Sequence, residues 1–241
     1  MTIHRIAVAG RKGGVGKTTI SCGLASIFAH QGYRVLIIDL DPQSNVAFAF
    51  GVRLGAAGTA QLLTEDVPIG EKVSDLITVY PGGTKLESSA IQNLPRETLA
   101  RKVDTLEGFD VIIFDCPPGI KKMEQMALTA AKTALITMNA HPLSLLGAIR
   151  VQKQLSADLE KGKRIASRHA VILSQLNQTR KRDKGISGVL PKYFPDTPHM
   201  TVQQDAGLYN AMAEQQEIMD YAPKSRGAEN LTKIAQWIIN G

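Results

Sequence analysis

Residues 12–19 read Lys-Gly-Gly-Val-Gly-Lys-Thr-Thr. A loop this rich in glycine can turn its backbone N–H groups inward around a multiply charged anion. It needs a strand to deliver the chain and a helix to carry it away, because the helix N-terminus adds further donors and the favourable end of its dipole. Both flanks are present. Ile3–Ala9 is an apolar run of strand length, and Thr18–His30 has helical periodicity through Ile20, Leu24, Ile27 and Phe28, stopping at Gly32. In such a loop Gly13, Gly14, Val15 and Gly16 form the cradle for a nucleotide triphosphate. Lys17 reaches the β- and γ-phosphates and Thr18 ligates magnesium. Thr19 is placed to cap the helix and touch the α-phosphate. The ordinary pattern has glycine at position 11; this chain has Arg11, and an additional lysine, Lys12, opens the loop.

The rest of the chain repeats the same grammar. Arg34–Asp39, Asp110–Asp115, Thr133–Met138 and His169–Ser174 are short apolar runs, and amphipathic stretches lie between them at Arg96–Leu106, Lys122–Ala131, Leu143–Leu159 and Glu229–Ile239. Continuous apolar strands alternating with amphipathic helices predict an α/β fold of the P-loop NTPase type, a mostly parallel twisted sheet with helices on both faces. No repeat or linker divides the chain, so residues 1–241 are expected to form one domain. Gly55–Leu63 and Thr179–Pro198 lack regular patterning and are expected to be mobile loops. Asp39 and Asp115 each end an apolar run, at the sheet edge where open α/β folds bind ligands. Asp41 precedes Pro42, where an aspartate can also serve as a helix cap.

Several segments together resemble the ParA/MinD/Soj family of deviant Walker A ATPases. Lys12–Thr19 is similar to its deviant Walker A loop, Asp39-Leu-Asp-Pro-Gln-Ser-Asn to its segment after the second strand, and Val111-Ile-Ile-Phe-Asp-Cys-Pro-Pro-Gly to its Walker B strand and switch. Leu143–Gly147 and Ser225-Arg-Gly-Ala-Glu resemble its later helix entries, so the likeness runs from about residue 4 to 240, with a poor match between about 176 and 200. It is closest to a small partition ATPase of the ParA/Soj type. The resemblance implies ATP hydrolysis with Mg²⁺. Asp39 and Asp115 would hold magnesium waters, Asp41 would orient the attacking water, and Lys12 would cross a homodimer interface to the partner's phosphates, while Asn177 occupies a place where related proteins contact adenine. It further implies an ATP-bound homodimer that binds DNA non-specifically, and a ParB-like partner that stimulates hydrolysis.

Charge bears on the DNA expectation. Between Arg150 and Lys192 lie eleven Lys/Arg and three acids, a local excess of +8 in a chain whose net charge is +6. Its densest cluster, Thr179–Lys184, contains Arg180, Lys181, Arg182 and Lys184 and no aromatic, so the expected contact is phosphate neutralisation rather than base stacking. An ordinary solvated helix face has the same composition. The chain begins almost at the first strand, so a preceding helix-turn-helix and sequence-specific operator binding are not expected.

Composition excludes other classes. Hydrophobic residues make up 44% and charged ones 21%, as in a globular protein. Cys22 and Cys116 have no paired spacing, which argues against a disulfide framework and, with no C-x-x-C, against a cluster-binding reductase related to nitrogenase iron protein. No signal peptide and no membrane-length apolar run is read, so a cytoplasmic, nucleoid-associated protein is expected. A MinD-like membrane ATPase would need a basic amphipathic terminal helix; Leu231–Asn240 carries only Lys233 and reads as core-packing. A biosynthetic ligase of the dethiobiotin-synthetase type shares the loop but not the Asp39–Asn45 segment. A nucleotide-stabilised structural dimer without catalysis is disfavoured by Lys17, Asp41 and Asp115.

Overall fold

A computed structural model of the protein describes residues 3–53, 58–65, 70–177 and 179–241, apart from the side chains of Lys181, Arg182 and Lys184. The chain runs β1 (His4–Ala9), α1 (Lys17–His30), β2 (Val35–Asp39), α2 (Asn45–Ala49), α3 (Thr59–Thr64), β3 (Glu71–Lys72), β4 (Ile77–Tyr80), a 3₁₀ turn (Thr84–Glu87), α4 (Ser89–Gln92), α5 (Thr98–Asp104) and β5 (Val111–Asp115). It continues α6 (Lys121–Ala130), β6 (Thr133–Met138), α7 (Pro142–Glu160), β7 (Arg168–Leu176), α8 (Lys181–Tyr193), β8 (His199–Gln203), α9 (Ala206–Ala213), α10 (Ile218–Tyr221) and α11 (Arg226–Ile239). The strands form a single sheet in the order β3-β4-β2-β5-β1-β6-β7-β8, in which only the β3–β4 pairing is antiparallel.

Strand alternation sends successive side chains to opposite faces, and the two faces carry two cores. Ile6 and Val8 of β1 join α1 and α11 on one side, through residues such as Leu24, Phe28, Leu231 and Ile234. Ala7 and Ala9 join α5, α6 and α7 on the other, through Leu99, Met126 and Val151. Every residue of β2, β5 and β6 is buried, as parallel strands covered on both faces require. The helix caps follow ordinary chemistry. His141 Nδ1 accepts from Leu143 N–H at 3.1 Å ahead of Pro142 in α7, and Ser225 Oγ accepts from Ala228 N–H at 3.2 Å at the start of α11.

β1 sits between β5 and β6, while the chain leaving it goes first to β2 on one side and later to β6 on the other. The loop after β1 therefore opens at the point where the strand order reverses, the crevice that binds ligands in open α/β sheets. Its first residue has no room for a side chain, since a Cβ on Gly10 would lie 2.5 Å from the Thr137 carbonyl oxygen of β6.

Two expectations are corrected. Thr179–Pro198, read as an irregular mobile loop, contains the thirteen-residue helix α8. Gly185, Gly188 and Pro191 lower its intrinsic propensity, glycine by ~1 kcal/mol each relative to alanine. Burial of Ile186, Leu190 and Phe194, spaced four apart against the core, overrides them. Residues 59–63 of the other expected loop lie in α3, and Gly55, Ala56 and Ala57 lie outside the described residues. Three strands of the structure have no counterpart in the sequence expectations: β3, β4, and β8 after α8. Each is short, and β8 is only partly buried.

Phe194 is fully buried just beyond α8. Phe194→Ala should lower unfolding free energy by about 3–5 kcal/mol, measured by urea denaturation. A mobile loop would give a near-neutral result.

Candidate active site

Three segments meet at the carboxyl edge of the sheet. The loop leaving β1 turns into α1 through Gly14 and Gly16, whose φ angles of 68° and 80° lie in the left-handed region that only glycine adopts cheaply. Gly16 is the residue that caps α1, and no side chain caps the helix. Thr19 is thus not the cap; it lies within the first turn. The first-turn N–H groups keep no side-chain partner, which suits an anion. Val15 is buried, and its carbonyl accepts a hydrogen bond from Ser174 Oγ of β7, pinning the loop to the sheet.

Lys17 is nearly buried, and its Nζ donates to the Lys12 carbonyl at 3.3 Å, so the ammonium already lies across the loop. Burial lowers its pKa, opposed chiefly by the Asp115 carboxylate. Asp115 ends β5 and is wholly buried. Its Oδ2 accepts from Thr18 Oγ at 2.7 Å and its Oδ1 from Ser21 Oγ at 2.8 Å. Asp39 ends the adjacent β2 and is Asp115's partner in the parallel register. Asp39 Oδ1 accepts from Asp41 N–H at 2.9 Å and Oδ2 from Val46 N–H at 3.1 Å. Burial, and then the facing Asp115, push Asp39 well above the ordinary carboxylate range. Burial raises Asp115 to about 6, moderated by the Thr18 and Ser21 hydroxyls. Two carboxylates left this destabilised as anions form a site whose energy falls when a cation arrives.

Asp41 is buried, and its Oδ1 accepts from Gln43 N–H at 2.9 Å in a local turn. It does not cap α2, where Ser44 holds the cap position. The Gly82-Gly83 loop after β4 closes over this turn. A Cβ on Gly82 would stand 2.0 Å from the Asp41 carbonyl oxygen, and Gly83 N–H donates to that oxygen at 3.2 Å. The oxygen donors at Thr18, Asp39 and Asp115 are of the hard kind that magnesium takes. Among the described residues no three His, Cys, Asp or Glu side chains converge into a cage. Magnesium characteristically uses one or two protein oxygens and completes its shell with water and phosphate, so the donor set fits.

Beside the loop opens a cavity of about 960 Å³, lined by Gly16, Thr19, Gln175, Gln204, Asp205 and Tyr209 among others. It is large enough for a nucleoside. Asn177 is not in its wall. Asn177 Oδ1 accepts from Thr179 N–H and Oγ, at 3.0 and 2.7 Å, and its N–H donates to Asp183 Oδ2 at 2.8 Å, so this side chain shapes the entry to α8. The wall residues Gln175 and Gln204 were not found from the sequence, where a glutamine after an apolar run carries no signal. Ser21, one turn after Thr18, could have been found from helical spacing.

The excess of +8 is not one patch. Lys163 pairs with Asp158 at 3.0 Å and Arg164 with Asp104 at 2.7 Å. Arg168 closes the end of α11 by donating to the Trp237 and Ile238 carbonyls, with its guanidinium 3.7 Å from the Trp237 ring centroid. These cations sit near the amino end of β7, while Arg180 follows its carboxyl end, roughly 25 Å away at strand rise. Sequence neighbours become opposite poles because the nine-residue strand β7, irregular only near Gln175, lies between them. Arg180 is exposed and lines the cavity mouth. The side chains of Lys181, Arg182 and Lys184 lie outside the described residues.

A family model described as an AAA domain matches residues 3–162. The chain is 30% identical over 250 residues to the sporulation initiation inhibitor protein Soj of Bacillus subtilis, covering 96% of each chain. It is 27% identical over 247 residues to the chromosome-partitioning ATPase Soj of Thermus thermophilus, covering 98% of this chain and 96% of the relative. Among solved structures, the septum site-determining protein MinD of Pyrococcus horikoshii, complexed with Mg-ADP, superposes with a TM-score of 0.79 at 22% identity, over 98% of this chain and 96% of that one. That last likeness speaks for the fold. With an AAA-domain match over most of its length and a Soj relative aligned end to end, the chain belongs to the ParA/MinD/Soj family of P-loop partition ATPases.

Proposed function

We propose that this protein dimerises on ATP, hydrolyses it with magnesium, binds DNA without sequence preference and positions or segregates a cargo, its turnover stimulated by a ParB-like partner. The observation that carries the reading is the meeting of Lys17, Thr18 and the paired strand-end acids Asp39 and Asp115 at the mouth of one glycine-rich loop, with Lys12 beside them. Lys17 and the Gly13–Thr19 backbone hold the triphosphate, and Thr18, Asp39 and Asp115 would hold magnesium. The ion supplies charge neutralisation at the phosphate oxygens. Asp41 orients the attacking water; phosphoryl transfer asks the protein mainly for position and charge. Asn177 contributes to the adenine end by ordering the turn before α8.

Lys17→Ala should weaken ATP binding by about 1.5–3 kcal/mol, the worth of a charge-assisted hydrogen bond, or roughly 10–150-fold in Kd. Isothermal titration calorimetry reads this directly, and an unchanged Kd would remove the pocket assignment.

Lys12 is only partly exposed and shares the loop lip with Arg11. Acting in trans, it would join ATP binding to dimer formation as an arginine finger does. Lys12→Ala should then bind ATP yet stay monomeric with it in light scattering. A dimer of normal mass would end the trans role.

DNA contact is assigned to Arg180, Lys181, Arg182 and Lys184. A dimer presents two such clusters at fixed spacing, so ATP raises apparent affinity through linkage alone. The reading is tested by gel-shift titration of duplex DNA with and without ATP. Binding should require ATP, ignore sequence and weaken by roughly −0.9 in log K per log salt for each phosphate neutralised. Replacing Arg180, Lys181 and Arg182 by alanine should flatten that slope while ATP-dependent dimerisation persists; an unchanged titration would take DNA contact away from this cluster.

The cytoplasmic, nucleoid-associated location follows from the same reading. No helix among the described residues is long and apolar enough to cross a membrane. The MinD-like alternative is less favoured, because α11 spends its apolar face, including Leu231, Ile234 and Ile238, on the core.

A further inference from the structure

Arg11 stands where the ordinary phosphate loop has glycine, and its side chain does not turn into the loop. Its Nε donates to Glu124 Oε1 of α6 at 3.1 Å. Glu124 is 4% exposed, deep for a carboxylate, and α6 begins a few residues after Asp115. Gly147 of α7 lies beside the arginine: a Cβ there would meet Arg11 Cβ at 3.5 Å, an ordinary van der Waals contact. Arg11 thus bridges the phosphate loop, α6 and α7.

The position of Glu124 is odd on electrostatic grounds. A site that holds a triphosphate is built to be positive, yet this carboxylate is buried close enough for its field to reach Lys17 and Cys116. Among the described residues three cations act on it, Arg11 by direct contact and then, more weakly and through space, Lys17 and Lys121. Without Arg11, the cation left with the largest pull on Glu124 is the phosphate lysine itself. Low local dielectric makes such a competition strong.

We propose that Arg11 is a positioning and screening residue: by pairing with buried Glu124 it keeps that anion from opposing the triphosphate and from drawing Lys17 away from it. The proposal rests on the phosphate-loop reading above. It makes the pair asymmetric. Arg11 is needed only because Glu124 is charged, whereas Glu124 is not needed for nucleotide binding at all. Two other roles predict differently. An arginine that touched phosphate directly would be needed whatever stood at 124, and a plain structural bridge would make the two partners equally necessary.

The test is Mg-ATP binding by isothermal titration calorimetry at fixed salt, on the full chain, with circular dichroism and thermal melts to confirm folding and Lys17→Ala as the pocket control. Glu124→Gln should bind ATP as tightly as the wild type or more tightly. Arg11→Gly should lose about tenfold or more in Kd, and adding Glu124→Gln to it should restore affinity to within about threefold of wild type. Because Arg11→Gly strands a buried charge and can fail to fold, the deciding comparison is Glu124→Gln against Arg11→Gly/Glu124→Gln, neither of which leaves the carboxylate unpaired. Equal affinities support screening. A further tenfold loss in the double variant, or a loss in Glu124→Gln alone, overturns it. If the wild type and Lys17→Ala bind ATP alike, the pocket reading fails first and the proposal with it.

Discussion

The carboxylate of Asp115 is the joint on which the site depends. It ends the β5 strand and accepts hydrogen bonds from Thr18 and Ser21, one turn apart on α1. An ionisable group with no exposed surface must be satisfied or it destabilises the fold, since a buried unpaired charge is far more costly than a lost surface contact. Here the satisfying donors belong to the helix whose amino end forms the phosphate cradle. The two bonds therefore tie α1 to the end of β5 and hold the hydroxyl of Thr18 against the acids. Asp39 is then brought alongside by nothing more than parallel register, since β2 and β5 pair residue for residue up to Asp39 and Asp115.

Close approach of backbone supports that joint from several sides. Gly10 lets the chain pass the Thr137 carbonyl of β6, Gly82 lets the loop after β4 lie on the Asp41 turn, and Ser174 holds the Val15 carbonyl. Each contact comes from a different strand, so the phosphate loop is referenced to β6 and β7 at once, and the neighbouring Asp41 turn to the loop after β4. A loop held in this way spends little order on binding an anion, which is how a preorganised site gains affinity.

Much of this was legible in the chain. The Lys12–Thr19 motif, the strand-length apolar runs and the acids at their ends located the glycine-rich loop and the strand-end pair Asp39 and Asp115 that meets beside it, because glycine content, strand ends and helix starts are local properties. The parts that were not legible are tertiary. α8 was hidden by two glycines and a proline, and exists because Phe194 and Leu190 find a core that lies far away in sequence. The basic segment looked continuous, but β7 separates its two halves, and Lys163, Arg164 and Arg168 serve the fold. Asn177 stands near the cavity in sequence, but its side chain is engaged in a turn.

By itself the sequence determined that the chain is an α/β phosphate-loop protein with a lysine and a hydroxyl at the cradle and acids at two strand ends, since period, propensity and glycine spacing act within a few residues of one another. Only the tertiary structure decided which of those groups face each other. That Arg11 reaches Glu124, that Ser21 shares Asp115 with Thr18 and that Gln175 and Gln204 wall one cavity are consequences of strand order and register. The physical reason is that electrostatic and hydrogen-bond energies depend on distances of a few ångströms between side chains separated by up to about a hundred residues, and only the packed sheet sets those distances.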